Sequence, residues 1–252
     1  MHTPKYREQA SDMLVVFIHG FIGSPAQFDD LADAVYQNGA SVLSLLLPGH
    51  GGAARDFAAH GYADWEAHVQ SELEKYAGQY EKIYLAGHSM GCLLALNVCA
   101  AAKYKLAGLF LTFTPLKINY LNPRALFTRL RFLTYGRGHP VKSAYYNALS
   151  ITAPSFWHYL YYVKPSIEFL RLAAKTKRIL RDVTAPVVSI HSKRDETVAF
   201  SSARAVYDGL INAEKQRIIL QKSLHAYYTE DEREIIRDAL LKLINHKEAA
   251  TP

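Results

Sequence analysis

Cysteine is scarce: the chain carries two in 252 residues, Cys92 and Cys99. Both fall in one predicted helix, seven residues apart and so on one face. The helical rise between them is too long for a disulfide, so they read as buried free thiols suited to a reducing compartment. No C-x-x-C and no H-E-x-x-H occurs, and neither a metal nor a cofactor is expected. No uninterrupted apolar run reaches the length of a membrane helix. Residues Met1 to Asp12 are polar and lack the apolar stretch of a signal peptide, so the expectation is cytoplasmic residence. Internal repeats, low-complexity tracts and flexible linkers are absent. From Leu116 to Ile167 there is no Asp or Glu, against seven basic residues: Lys117, Arg124, Arg129, Arg131, Arg137, Lys142 and Lys164. Elsewhere the remaining 22 basic and 23 acidic residues nearly cancel, so the net charge of +6 belongs to that one segment.

What is present is apolar substance in a regular order. Half the residues are apolar, enough for one large domain with a substantial core. Six short apolar runs read as buried parallel strands: Leu14–Ile18, Val42–Leu46, Lys82–Ala86, Gly108–Phe113, Pro186–Ile190 and Arg217–Leu220. Helical stripes alternate with them. Phe28, Leu31, Ala32, Val35 and Tyr36 share one face, behind a capping-box pattern at Ser24-Pro25 with Gln27 and ahead of a stop at Asn38-Gly39. Trp65, Val69, Leu73, Tyr76 and Tyr80 form a second stripe, and Val206, Tyr207 and Leu210 another. Ile235, Ile236, Leu240, Leu243 and Ile244 form the last, opened by Thr229 with Glu232 three residues on. This alternation predicts an open α/β sheet with helices on both faces and ligands at the carboxyl ends of the strands. Residues 116–167 interrupt it. They are rich in Tyr and Arg, show no convincing strand, and are too long for a loop. They are expected to form a small, mainly helical cap between core segments 1–115 and 168–252. The tail after His246 is expected to fray.

Three strand ends carry candidate chemistry. Gly87-His88-Ser89-Met90-Gly91 stands between a strand and a helix, the pattern G-x-S-x-G. A serine on so tight a turn is forced into a strained conformation, and its neighbours two residues away must be small. Asp195 follows the strand Pro186–Ile190, with Glu196 beside it as the alternative acid. His225 follows the strand Arg217–Leu220. A serine nucleophile needs a base, and the base needs a carboxylate to orient it. The loop His19-Gly20-Phe21-Ile22-Gly23 can turn backbone amides inward, so the Phe21 and Met90 N–H groups are candidate oxyanion donors. The bland reading, that these glycines only make a tight turn, is compatible with this. His50 precedes the serine in the chain and reads as a structural loop histidine, and His88 as a packing or hydrogen-bonding one. Tyr145, Tyr146, Tyr159, Tyr161 and Tyr162 either line an acyl groove or pack.

Together, His19-Gly20-Phe21, Pro48-Gly49-His50-Gly51, the Ser89 pentapeptide, Asp195-x-x-Val198 and His225 resemble the α/β-hydrolase superfamily. The loop His19 to Pro25 looks most like that of small bacterial carboxylesterases and monoacylglycerol lipases. The resemblance implies an α/β-hydrolase fold with a mostly parallel sheet of about six strands. It implies a cofactor-free serine hydrolase of carboxylic esters, with Ser89, Asp195 and His225 as triad. Ile22 and Trp157 are candidate substrate-binding residues. The implied partner is a small-molecule or lipid-like ester, with no nucleic acid. The basic segment would suit an anionic substrate or membrane surface, or simply solvate the cap. A thioesterase or carbon–carbon bond hydrolase on the same scaffold stays open, as does a non-catalytic binding protein. Two departures stand out: Cys92 and Leu224 occupy positions where the superfamily often has glycine.

Overall fold

Strands that alternate with amphipathic helices must bury both of their faces, and here they do so in a three-layer stack. A computed structural model of the chain describes residues 2–119, 130–131, 134–136, 138–151 and 156–245. Seven strands run in the order β1-β3-β2-β4-β5-β6-β7. They are β1 (Lys5–Arg7), β2 (Met13–Ile18), β3 (Ser41–Ser44), β4 (Lys82–His88), β5 (Gly108–Thr112), β6 (Val187–Ser192) and β7 (Lys215–Leu220). All neighbours are parallel except β1, which pairs antiparallel with β3. The six expected strands are all present, with shifted ends. β3 stops at Ser44, whereas β4 and β6 run on through His88 and Ser192. The seventh, β1, is a short polar edge strand whose sequence carries no apolar signal.

The period of two along each strand sorts the core into halves. Leu14, Val16, Ile18 and Leu85 pack with Trp65 and Val69 of α3 (Tyr62–Tyr76), Leu93 of α4 (Met90–Ala100) and Leu172 of α6 (Val163–Ile179). Val15, Phe17 and Phe110 face the other way, onto Val35 of α1 (Asp29–Gln37) and Ile236 and Leu240 of α8 (Glu230–Asn245). Helix α4 is buried on every side from Met90 to Cys99, as befits an apolar helix at the centre of a sheet. Both cysteines are buried free thiols. The shorter helices are α2 (Ala54–Ala59), α5 (Pro140–Ala148) and α7 (Ser201–Gly209). Among the described residues, no helix is long and apolar enough to cross a membrane.

Two expected capping boxes are not made. Ahead of α1, residues Pro25–Phe28 form a 3₁₀ turn, and Ser24 makes no side-chain cap. The Gln27 carbonyl oxygen instead accepts the Gly20 N–H at 3.2 Å. Ahead of α8, Glu232 turns away from Thr229. Its carboxylate accepts the N–H groups of Gln221, Lys222 and Ser223 and the Ser223 hydroxyl. In both cases a loop brought in by the fold outcompetes the local partner. The expected helix stop does form, with Gly39 at φ 89°.

Within 116–167, the described parts are α5, a 3₁₀ turn at Phe156–Tyr162 and the start of α6. They include two isolated bridges, Gly23 with Leu149 and Ile118 with Val198, and no strand. Helix α6 runs unbroken through 167/168, so the expected boundary of the core falls inside a helix. Arg124, Arg129, Arg137 and the tail after His246 lie outside the described residues.

Glu232 gives the first prediction. It is buried, and its loss strands three loop N–H groups. Glu232→Ala should lower the unfolding free energy by about 2–4 kcal/mol. Urea denaturation measures this, and a loss below about 0.5 kcal/mol, within surface-mutation noise, would contradict the anchoring role.

Candidate active site

The strand-to-helix turn at Ser89 is set by contact distances. Ser89 has φ 53° and ψ −117°, a region that costs an L-residue energy. A Cβ on Gly91 would lie 1.9 Å from the Ile18 carbonyl oxygen, and one on Gly87 would lie 2.6 Å from the Cys92 nitrogen. Neither position can hold any other residue without moving backbone. The turn puts the Ser89 side chain at the N-terminus of α4, where unpaired N–H groups favour negative charge. The loop after β2 closes over it: a Cβ on Gly20 would come within 3.1 Å of the Ser89 Cβ. Among the described residues, no group accepts a hydrogen bond from the Phe21 or Met90 amide. Ile22 follows at φ 56°, and its carbonyl accepts the Ser150 N–H at 3.0 Å, which ties this loop to the segment after α5.

Asp195 and His225 arrive from the ends of β6 and β7. The His225 Nδ1–H donates to Asp195 Oδ2 at 2.9 Å. The other Asp195 oxygen accepts the Thr197 and Val198 N–H groups, each at 2.7 Å. Of the two neighbouring acids, then, it is Asp195 that orients the ring. Glu196 takes a different post, accepting the main-chain N–H of His225 at 3.1 Å. From the far side, His88 Nε2–H donates to the His225 carbonyl at 2.9 Å. The imidazole packs on His88 and Phe113, with centroids at 4.8 and 5.7 Å. The hydrogen bonds of His225 go to Asp195, Glu196 and His88, and none joins its ring to the Ser89 hydroxyl.

Burial drives the electrostatics apart. For His225, burial favours the neutral ring, but the Asp195 carboxylate and its hydrogen bond, helped by Glu196, leave the pKa above the ordinary value of 6.5. Burial would raise the Asp195 pKa; His225 and the two amides outweigh it, and the carboxyl ends below its usual range. Burial dominates at three other buried histidines. His88 is lowered to about 3, and His50 and His191 to about 4, so they are neutral at pH 7. His50 bonds through Nδ1–H to the Pro48 carbonyl, as a structural loop histidine should.

Ser89 and His225 line one cavity of about 340 Å³, within the range of small-molecule sites. Its walls are largely apolar, including Phe21, Ile22, Ile118, Leu149 and Phe169. Ile22 is among the lining residues. Trp157 is not: it is 72% exposed and absent from the lining. Of the tyrosines, Tyr145 lines the cavity, Tyr162 packs on Phe57, and Tyr146, Tyr159 and Tyr161 face outward. None of the described basic residues of 116–167 lines it. Lys142 and Lys164 donate instead to the Tyr135 and Ala59 carbonyls.

The two departures from the superfamily pattern are absorbed locally. Burial pushes the Cys92 thiol up to about 12, and its sulfur sits near the Gly87 and Thr112 carbonyls, at 3.1 and 3.2 Å. Leu224 needs no glycine conformation, because its N–H meets the Tyr227 carbonyl and Glu232 holds the preceding turn. The anchoring roles of Glu196 and Gln27 had no local sequence signal.

The family model described as Serine aminopeptidase, S33 matches residues 9–232. The thermostable monoacylglycerol lipase of Bacillus sp. (strain H-257) is 25% identical over 214 residues, 84% of this chain and 82% of that protein. Among solved structures, one of the metagenome-derived lipolytic enzymes LipS and LipT superposes with TM-score 0.76 at 22% identity. It covers 97% of this chain and 98% of its own. The Paleococcus ferrophilus monoacylglycerol lipase gives TM-score 0.74 at 17% identity, with 97% and 98% covered. These likenesses extend over the whole α/β-hydrolase architecture.

Two expectations follow from the geometry. Gly91→Ala should cost at least about 4 kcal/mol or abolish soluble expression, since backbone must move; a variant as stable as wild type would refute the close approach. NMR titration should place the His225 midpoint above 6.5. Asp195→Asn should lower it, because burial is then opposed only by Glu196. A midpoint unmoved by the substitution would contradict the pairing.

Proposed function

This chain belongs to the Serine aminopeptidase, S33 family. On that premise we propose that it is a serine hydrolase of carboxylic esters, of the carboxylesterase or monoacylglycerol lipase type. The observation that carries this reading is the convergence on one apolar cavity of a strained elbow serine and a histidine paired with a buried aspartate.

The family's description names a peptidase, and the lining of the cavity argues for an ester instead. An aminopeptidase must hold a free α-ammonium group, and a buried ammonium needs an anionic partner. Among the described residues, no Asp or Glu lines the cavity. The same lining, free of described Lys and Arg, suits a neutral acyl group better than an anionic one. The names of the Bacillus and Paleococcus relatives point the same way.

In this reading His225 takes the Ser89 proton as Oγ attacks the ester carbonyl. A substrate in the cavity brings the hydroxyl and ring into hydrogen-bond range. The tetrahedral oxyanion is held by the Phe21 and Met90 amides, each worth about 3 kcal/mol. His225 then protonates the departing alcohol, and water repeats the cycle on the acyl-enzyme. Asp195 stays ionised, which fixes the ring tautomer and stabilises the imidazolium. The segment 116–167 serves as a cap, with Tyr145 of α5 and Leu149 just after it at the cavity, joined there by Phe169 farther along α6.

A p-nitrophenyl ester series from short to long acyl chains, run beside aminoacyl p-nitroanilides, tests this. Neutral esters should turn over and the anilides should not. Ser89→Ala and His225→Ala should each lower kcat at least about a thousandfold. Undiminished turnover in Ser89→Ala, or anilides preferred over esters, would overturn the proposal.

A further inference from the structure

Glu196 is 3% exposed, and its carboxylate joins three separate pieces of the chain. One oxygen accepts the His225 main-chain N–H at 3.1 Å. The other accepts the Tyr145 hydroxyl in a short hydrogen bond, and the Thr197 hydroxyl at 3.2 Å. The Tyr145 oxygen in turn accepts the Ala226 N–H at 3.4 Å. Tyr145 sits on α5 and lines the cavity, whereas Glu196 follows β6 and His225 follows β7. Asp195, one residue earlier, grips the ring of the same histidine. Adjacent carboxylates therefore hold the side chain and the main chain of one residue.

We propose that Glu196 and Tyr145 are positioning residues for His225, a latch through which the helix over the cavity sets where the base stands. This rests on the reading of His225 as the base. The chemistry of the latch is specific to a carboxylate. Glu196 presents acceptors on both oxygens, and the contacts described above bring it one N–H and two hydroxyls. An amide of the same shape has one acceptor arm and one donor arm, so Gln at 196 either loses the His225 N–H or must reverse the hydrogen bond to Tyr145. Burial and the nearby Glu196 charge also keep the Tyr145 hydroxyl protonated, well above the usual tyrosine range, so it remains a donor. A substrate group pressing on Tyr145 would reach the base through two hydrogen bonds, without touching it.

Glu196→Gln, Tyr145→Phe and the double variant form a cycle. Glu196→Gln should lower kcat roughly tenfold with KM within about twofold, because a misplaced base slows the chemical step rather than binding. Tyr145→Phe should lower kcat several-fold. The double variant should be no worse than Glu196→Gln alone, since both cut one chain of contacts. A second readout needs no turnover: the His225 NMR midpoint should fall in Glu196→Gln, because a nearby negative charge is lost. That midpoint also reflects Asp195 and Glu196 from the loop after β6, His88 from β4, His191 from β6, Tyr145 from α5 and Tyr228 from its own loop. Of these, the substitution changes only the charge at 196. A purely structural role would lower Tm in both variants and leave kcat and KM in place. Additive losses in kcat, or an unmoved midpoint, would overturn the latch. If Glu196→Gln does not fold, Tyr145→Phe decides alone: unchanged kcat overturns the proposal, and a several-fold loss at constant KM supports it. A wild type inactive on every ester would instead overturn the ester-hydrolase reading, leaving the NMR arm to judge the latch.

Discussion

The close approach of α4 to the end of β2 governs this molecule. Gly91 passes so near the Ile18 carbonyl that no side chain fits between them. That contact pins the first turn of α4 against the sheet, and the chain can enter the helix only through a residue at positive φ. Ser89 is that residue. Its strain persists because the surrounding structure over-determines it: α4 is buried on all sides, and β4 lies between β2 and β5 in the middle of the sheet. Helix, strand and loop together hold a serine hydroxyl at a fixed point on the rim, at the N-terminus of α4.

Around that point the fold spends buried carboxylates in an orderly way. Asp195 orients an imidazole, Glu196 holds the same residue's main chain, and Glu232 gathers the N–H groups of the turn before it. Each carboxylate accepts only hydrogen bonds from backbone, hydroxyl or imidazole donors in the contacts described above. The loop that carries His225 is thus rigid without glycine at 224. The neutral histidines beside it, His88 above all, act through hydrogen bonds and packing rather than charge. One histidine of the site has its pKa raised rather than lowered, and it is the one paired with Asp195.

Much of this could be read from the chain. Parallel strands buried on both faces write themselves as apolar runs, so six strands and their flanking helices were legible. The order of Ser89, Asp195 and His225 at successive strand ends was legible for the same reason. What was hidden depended on partners distant in sequence. The strand Lys5–Arg7 is polar, and only its antiparallel pairing with Ser44 to Val42 makes it a strand. Gln27 and Glu232 looked like local helix caps, yet each satisfies a loop that the tertiary fold delivers. Trp157 looked like a substrate contact by type alone, whereas it stands exposed on the turn Phe156–Tyr162. Glu196 stood next to the acid and appeared only as its rival; its contact with the His225 main chain crosses from one strand end to the next.

The central claim is that Ser89 is an activated nucleophile, and a fluorophosphonate probe tests it most directly. Such a probe reacts with a serine only where a base and oxyanion donors assist. The account predicts one adduct per chain by intact mass, located by peptide mapping at Ser89, and formed far more slowly in His225→Ala. No adduct, or one on a different serine, would contradict it.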